Sequence, residues 1–183
     1  RQGKALREML FSDVELSYVA NNISLLSSHM IVDPKRMALR PSTDTTEGDL
    51  LLIVNGSSTT GYRHASTGFA GTIAAFMLNR PQQIVAPSSF TTDGDFVDVG
   101  VDLDDIYVIV KRTINSATKY YLEVFDDDRT TDAAIQYYAS PVSPDQALPS
   151  NSTASGLSHL EGETVKIIRD DIVDSDATVS SGS

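Results

Sequence analysis

The stretch Thr92–Asp128, TDGDFVDVGVDLDDIYVIVKRTINSATKYYLEVFDDD, decides the fold class. Within it Val97, Val99 and Val101 alternate with Asp98, Gly100 and Asp102. That period of two sends successive side chains to opposite faces of a strand. Ile106–Val110 is more continuously apolar, as a central strand is, and Lys119–Phe125 returns to alternation. The segments Phe96–Val101, Ile106–Arg112 and Tyr120–Phe125 are separated by tight polar turns. The stretch therefore predicts an up-and-down antiparallel meander, the unit from which propellers are assembled.

Upstream, Met37–Arg40, Leu50–Val54, Thr72–Leu78 and Gln83–Ala86 read as four short strands. The segment Asn55–Gly71 (NGSSTTGYRHASTGFAG) is too polar and Gly-rich for a core and is expected as a long inserted loop, with Asn55-Gly56 as a hairpin turn. Nearer the start, Lys4–Phe11 is a candidate strand. Ser12-Asp13-Val14-Glu15 then fits a capping box, and Leu16, Val19, Ile23, Leu26 and Met30 follow at helical spacing. One short helix is expected within 13–31, or a shorter one capped by Asn22, closed by Pro34.

Downstream, Ser140–Ser155 holds three prolines and five serines, the composition of a linker or surface loop. Thr164–Arg169 reads as a strand, Asp170–Asp176 as a turn and Ala177–Ser180 as the start of another strand. The expected fold is mainly β: propeller-like blades over 1–139 with 55–71 inserted, a linker over 140–155, and the beginning of a second, β-barrel-like module over 156–183.

Composition narrows the function classes. The chain of 183 residues is 40% hydrophobic, enough for a core, and contains no apolar run near the ~20 residues that span a bilayer. The opening Arg1-Gln2-Gly3 and closing Ser181-Gly182-Ser183 are those expected of a fragment. Without cysteine the chain has no disulfide, thiolate or Cys-ligated zinc. Fourteen Lys and Arg against 25 Asp and Glu leave a net charge of −11, which argues against a nucleic-acid clamp. The same charge suits a surface that nucleic acid passes without sticking.

No catalytic motif stands out. His29, His64 and His159 lack metal-ligand spacing, and neither G-x-S-x-G, G-x-G-x-x-G nor a P-loop occurs. The acidic runs Asp102, Asp104, Asp105 and Asp126, Asp127, Asp128 could offer oxygens to calcium, but they lack EF-hand spacing. Asp is also a favoured turn residue, because its carboxylate bonds nearby N–H groups. Turn chemistry is the expectation, with no metal and no cofactor. The sequons at Asn22, Asn55 and Asn151 matter only in a secreted eukaryotic setting. The pairs Tyr120-Tyr121 and Tyr137-Tyr138 are each expected to place one ring inward and one outward.

Several of these segments together carry a likeness. Met37–Leu39, Asp49–Val54, Ile73–Leu78, Thr91-Thr92-Asp93-Gly94, Asp105–Asn115 (DIYVIVKRTIN), Tyr120–Phe125 and Ser155–Val165 (SGLSHLEGETV) occur in that order. Arg7–Ser12 and Ser17–Ala20 precede them. This order resembles the central region of the tail nozzle, or packaged-DNA stabilisation, proteins of short-tailed bacteriophages, some of which carry an FCCH-type domain label. The likeness breaks at Asn55–Gly71 and Ser140–Ala154, and Ser116 stands where the family's turn carries Gly. The resemblance implies a propeller-like domain followed by a barrel-like module, in a hexameric tube below the portal and adaptor through which DNA leaves the head.

Such a virion protein, made in the bacterial cytoplasm, is expected to be non-enzymatic and not membrane-inserted. Its Asp-rich turns are candidates for the lumen lining. Alternatives are a host-surface or glycan-binding adhesin, using Tyr62, Arg63, His64 and Phe69 of the inserted loop, and a polysaccharide hydrolase, which needs a pair of carboxylates in a groove, a pairing the sequence does not establish for Glu123 or Glu161.

Overall fold

The computed structural model describes residues 5–43, 47–57, 67–127, 132, 157–169 and 172–180. The chain divides into two compact units, Arg1–Lys111 with Tyr120–Thr130, and Arg112–Lys119 with Thr131–Ser183. Among the described residues the architecture is mainly β, in antiparallel sheets, as the alternating patterns require.

In the first unit the central layer is a four-stranded meander of β3 (Pro34–Arg40), β4 (Asp49–Asn55), β5 (Ile73–Asn79) and β6 (Ile84–Phe90), paired in chain order. The runs Leu51–Val54 and Ile73–Phe76 are apolar at every position and buried at every position. Each strand serves two cores, since neighbours along it point to opposite faces. Leu52 lies opposite Ala75 and Val54 opposite Ile73 in register, and this face meets Phe96, Ile106, Val108 and Val110. On the other face Leu51 lies opposite Phe76 and Ile53 opposite Ala74, and these pack with Met30, Ile31 and Leu78.

The first of those partner layers is a three-stranded sheet of β7 (Asp95–Asp102), β8 (Asp105–Ile114) and β9 (Ala117–Val124). Buried Ile106, Val108 and Val110 alternate along β8 with exposed Tyr107 and Ile109. Phe125 closes the core edge-on to Phe90 and Phe96, with ring centroids 4.9 and 6.4 Å away.

The other face is covered from the N-terminal side, by a route the sequence pattern concealed. No helix forms over 13–31. The chain builds a hairpin of β1 (Arg7–Ser12) and β2 (Ser17–Asn22), and its only helical piece here is a three-residue 3-10 turn, Ser28–Met30. The Ser12-x-x-Glu15 signature is realised as a turn: Ser12 Oγ accepts from Glu15 N–H at 3.3 Å, and Leu16 takes a left-handed φ of 49°. Short polar side chains then compete with helical bonding. Asn22 Oδ1 accepts from Ser24 N–H, and buried Ser24 Oγ accepts from Leu6 N–H at 2.9 Å. The periodic residues do not share a face, because Leu16 and Leu26 are exposed while Ile23 and Met30 join the core. Pro34 opens β3.

Asn55-Gly56 is likewise no hairpin turn. Asn55 ends β4, wholly buried, and bonds across three segments. It accepts from Val32 N–H at 3.0 Å and donates to Met30 O, Phe69 O and Thr72 Oγ1 at 2.8, 3.1 and 3.2 Å. The excursion rejoins the sheet at Gly71, whose φ of 71° suits glycine and whose oxygen accepts from Phe96 N–H at 2.8 Å.

In the second unit, Asn115-Ser116 joins β8 to β9 with both residues at positive φ, 50° and 63°. Buried Arg112 donates to both oxygens of Asp132 at 3.2 and 3.1 Å. After a 3-10 turn at Ser158–Leu160, β10 (Thr164–Arg169) pairs with β11 (Ile172–Thr178), with a bulge between Ile167 and Ile168. The turn expected over Asp170–Asp176 is therefore strand from Ile172 onward, as β-branched Ile172-Val173 favours. The linker expected over 140–155 lies outside the described residues.

Candidate functional site

The acidic turns are brought together by strand pairing. Asp102 lies opposite Asp105 in register, closing β7 and β8 around Leu103-Asp104. The end of β9 returns to this level, where Phe125 N–H donates to Ile106 O at 2.9 Å. Asp126 and Asp127 follow directly. The result is a concavity of about 350 Å³ lined by Arg40, Asp104, Asp105, Ile106, Val124, Phe125, Asp126 and Asp127. Asp102 stands exposed beside it, and Asp128 lies outside the described residues.

Its electrostatics are one-sided. Arg40, at the end of β3, is the single cation of the lining, and its guanidinium is 4.0 Å from Asp127, which is almost fully exposed. Tyr107 O–H reaches Asp105 at 3.5 Å. Within the β7–β8 turn it is Leu103, not an aspartate, that takes the left-handed φ of 55°. Among the described residues, no group of three or more His, Asp or Glu is arranged to hold a metal ion.

A second polar cluster fastens the N-terminal hairpin. Arg80, after β5, pairs with Glu8 of β1 through Nε and with Asp49 of β4 at 3.0 Å, while Asp49 also accepts from Ser42 N–H at 2.9 Å. The Glu8 hydrogen bond raises the Arg80 pKa above the usual arginine value, against the opposing pull of burial. A raised pKa adds stability that is complete below the unfolded value and fades only as pH passes the folded one. This clamp therefore holds across the whole neutral and mildly alkaline range.

The other sequence candidates divide. Tyr62, Arg63 and His64 lie outside the described residues. Phe69 is turned inward, half-buried against the Met30 core and 5.6 Å edge-on from exposed His29. Tyr120 is exposed and Tyr121 half-buried, the alternation expected of adjacent strand residues, whereas Tyr137 and Tyr138 lie outside the described residues. Glu123 is in the first unit and Glu161 in the second. Asn55 cannot take a glycan while its amide is buried and fully used. Sequence reasoning missed Arg40 as a member of the acidic end and Asn55 as a structural hub. Both depend on contacts between strands far apart in the chain. Compared with protein-family models and with the curated proteins, the chain matches none.

Proposed function

We propose that this chain is a structural part of a phage tail, a segment of the conduit that retains packaged DNA and passes it during ejection. The observation that carries the reading is the acidic end, where Asp104, Asp105, Asp126 and Asp127 line one concavity whose single cation is Arg40. A lining of that sign repels phosphate, and removing cations removes the counterion release on which duplex binding depends. The four- and three-stranded sheets, consecutive in the chain and packed through one core, support a propeller-like blade arrangement, and the collinear resemblance to tail nozzle proteins supports the setting. In this reading the working form is an oligomer within the virion, joined to portal and adaptor, and the turns bearing Asp102 to Asp105 and Asp126 to Asp127 face the lumen.

The test is a reconstruction of the assembled oligomer by cryo-electron microscopy. An axial channel bordered by these turns is expected. A basic channel with all of them on the outside would overturn the proposal. A gel-shift companion experiment is simpler. Wild-type chain leaves duplex DNA unretarded at low salt, whereas replacing Asp104, Asp105, Asp126 and Asp127 by Lys produces salt-sensitive retention.

A further inference from the structure

Among the described residues, the β1–β2 hairpin joins the core only at its base. Leu6 and Ile23 join a core cluster and Glu8 is clamped by Arg80, but neither core cluster includes any residue from Met9 to Ala20. Along the arm Met9, Phe11 and Tyr18 are exposed, the latter two in an edge-on pair at 5.5 Å. At the tip Val14 is 94% and Leu16 79% exposed, flanked by exposed Asp13 and Glu15. From Glu8 to Pro34 the sequence contains no Lys or Arg. The tip is thus an apolar pair carrying two negative charges, held on a two-stranded ribbon of a kind that is marginal alone.

The base of the same hairpin offers the complementary surface. A groove of about 280 Å³ is lined by Ala5, Leu6, Ile31, Pro34, Met37 and Ile53, and its two charged lining residues, Lys35 and Arg36, are both cationic. Lys35 lies 2.7 Å from Asp33, whose side chain is only 19% exposed, and Arg36 lies 3.6 Å from Asp98 in a pair open to solvent on both sides. A solvent-exposed pair such as Arg36–Asp98 contributes little, so an incoming carboxylate competes with it on even terms.

We propose that the tip Asp13–Leu16 of one copy docks in the Lys35–Arg36 groove of a second copy. Val14 and Leu16 enter the apolar floor while Asp13 and Glu15 meet the two cations. Tip and groove are different surfaces, so the contact is heterologous and propagates head to tail, closing into a ring if the rotation allows. At a net charge of −11 copies otherwise repel, which makes local complementarity decisive. This deepens the proposed assembly and rests on its oligomeric character.

Sedimentation velocity of the 183-residue chain, across concentration and salt, tests it. Wild type is expected to associate, less so at high salt. The tip reversal D13K/E15K and the groove reversal K35E/R36E should each weaken association about tenfold or more. Mixing the two variants should restore it, because the Lys tip fits the Glu groove and the acidic tip of the second fits the intact cationic groove of the first. Leu16→Asn removes the apolar contact with a residue suited to a φ of 49° and should also weaken association. Association that survives both reversals, or no restoration on mixing, overturns the contact while leaving an oligomeric conduit standing. A chain that stays monomeric throughout overturns both.

Discussion

The Asn55 carboxamide joins three backbone segments, and its chemistry is not interchangeable. Alanine there leaves Val32 N–H and Met30 O without their partner at a buried site, a loss of about 2–4 kcal/mol. Aspartate is expected to be worse, since an oxygen replaces the nitrogen that donates to Met30 O and Phe69 O. Urea titration should place both variants at lower midpoints, with Asn55→Asp the lower. Ser116 works in the opposite direction. Its φ of 63° belongs to the left-handed region, where a side chain costs about 1–2 kcal/mol that glycine avoids. Ser116→Gly should therefore raise the melting temperature by a few degrees in a calorimetric scan. The turn at Ser116 was legible in sequence because Asn-Ser separates two β-patterns. The role of Asn55 was not, since Asn-Gly reads as a turn wherever it stands and only the fold decides otherwise.

At the scale of elements, the strands were legible and the N-terminal hairpin was not. Five apolar residues from Leu16 to Met30 keep helical spacing, yet the competing signals were local and polar: Asn22, Ser24 and a left-handed Leu16. Hairpin and helix share the Ser-x-x-Glu start because in both a serine oxygen accepts from an N–H three residues on. What then holds the hairpin to the sheet is a clamp between Arg80, Glu8 and Asp49 that no sequence pattern announces. Arg80→Ala is expected to cost about 1 kcal/mol, the range of a partly exposed network. The cost should be local. Hydrogen exchange should accelerate in Arg7–Ser12 and Ser17–Asn22 while amides of β4 and β5 keep their rates, and equal acceleration in both would refute the clamp.

At the scale of the molecule, the acidic end shows how much a sequence conceals even when its residues are conspicuous. Asp102, Asp104, Asp105, Asp126 and Asp127 stand out as turn residues, but their convergence follows from β8 and β9 returning to one level, and the placement of Arg40 follows from β3 in another sheet. The same logic governs stability in the first unit. β4 and β5 contribute to both core clusters, so neither core can open without exposing the backs of the residues that line the other. Leu52→Ala, on one face, and Phe76→Ala, on the other, should cost about 2–5 and 3–5 kcal/mol. Because the two side chains project from paired, adjacent strands, both losses should lower one shared unfolding transition of this unit rather than separate two. The slowest-exchanging amides should be those of Leu51–Val54 and Ile73–Phe76, since these have no exposed face from which to unravel. Slower exchange in β7 and β8 than in β4 and β5 would show that the central sheet is not the last element to open, and that the three-stranded meander holds its structure independently of the layer beneath it.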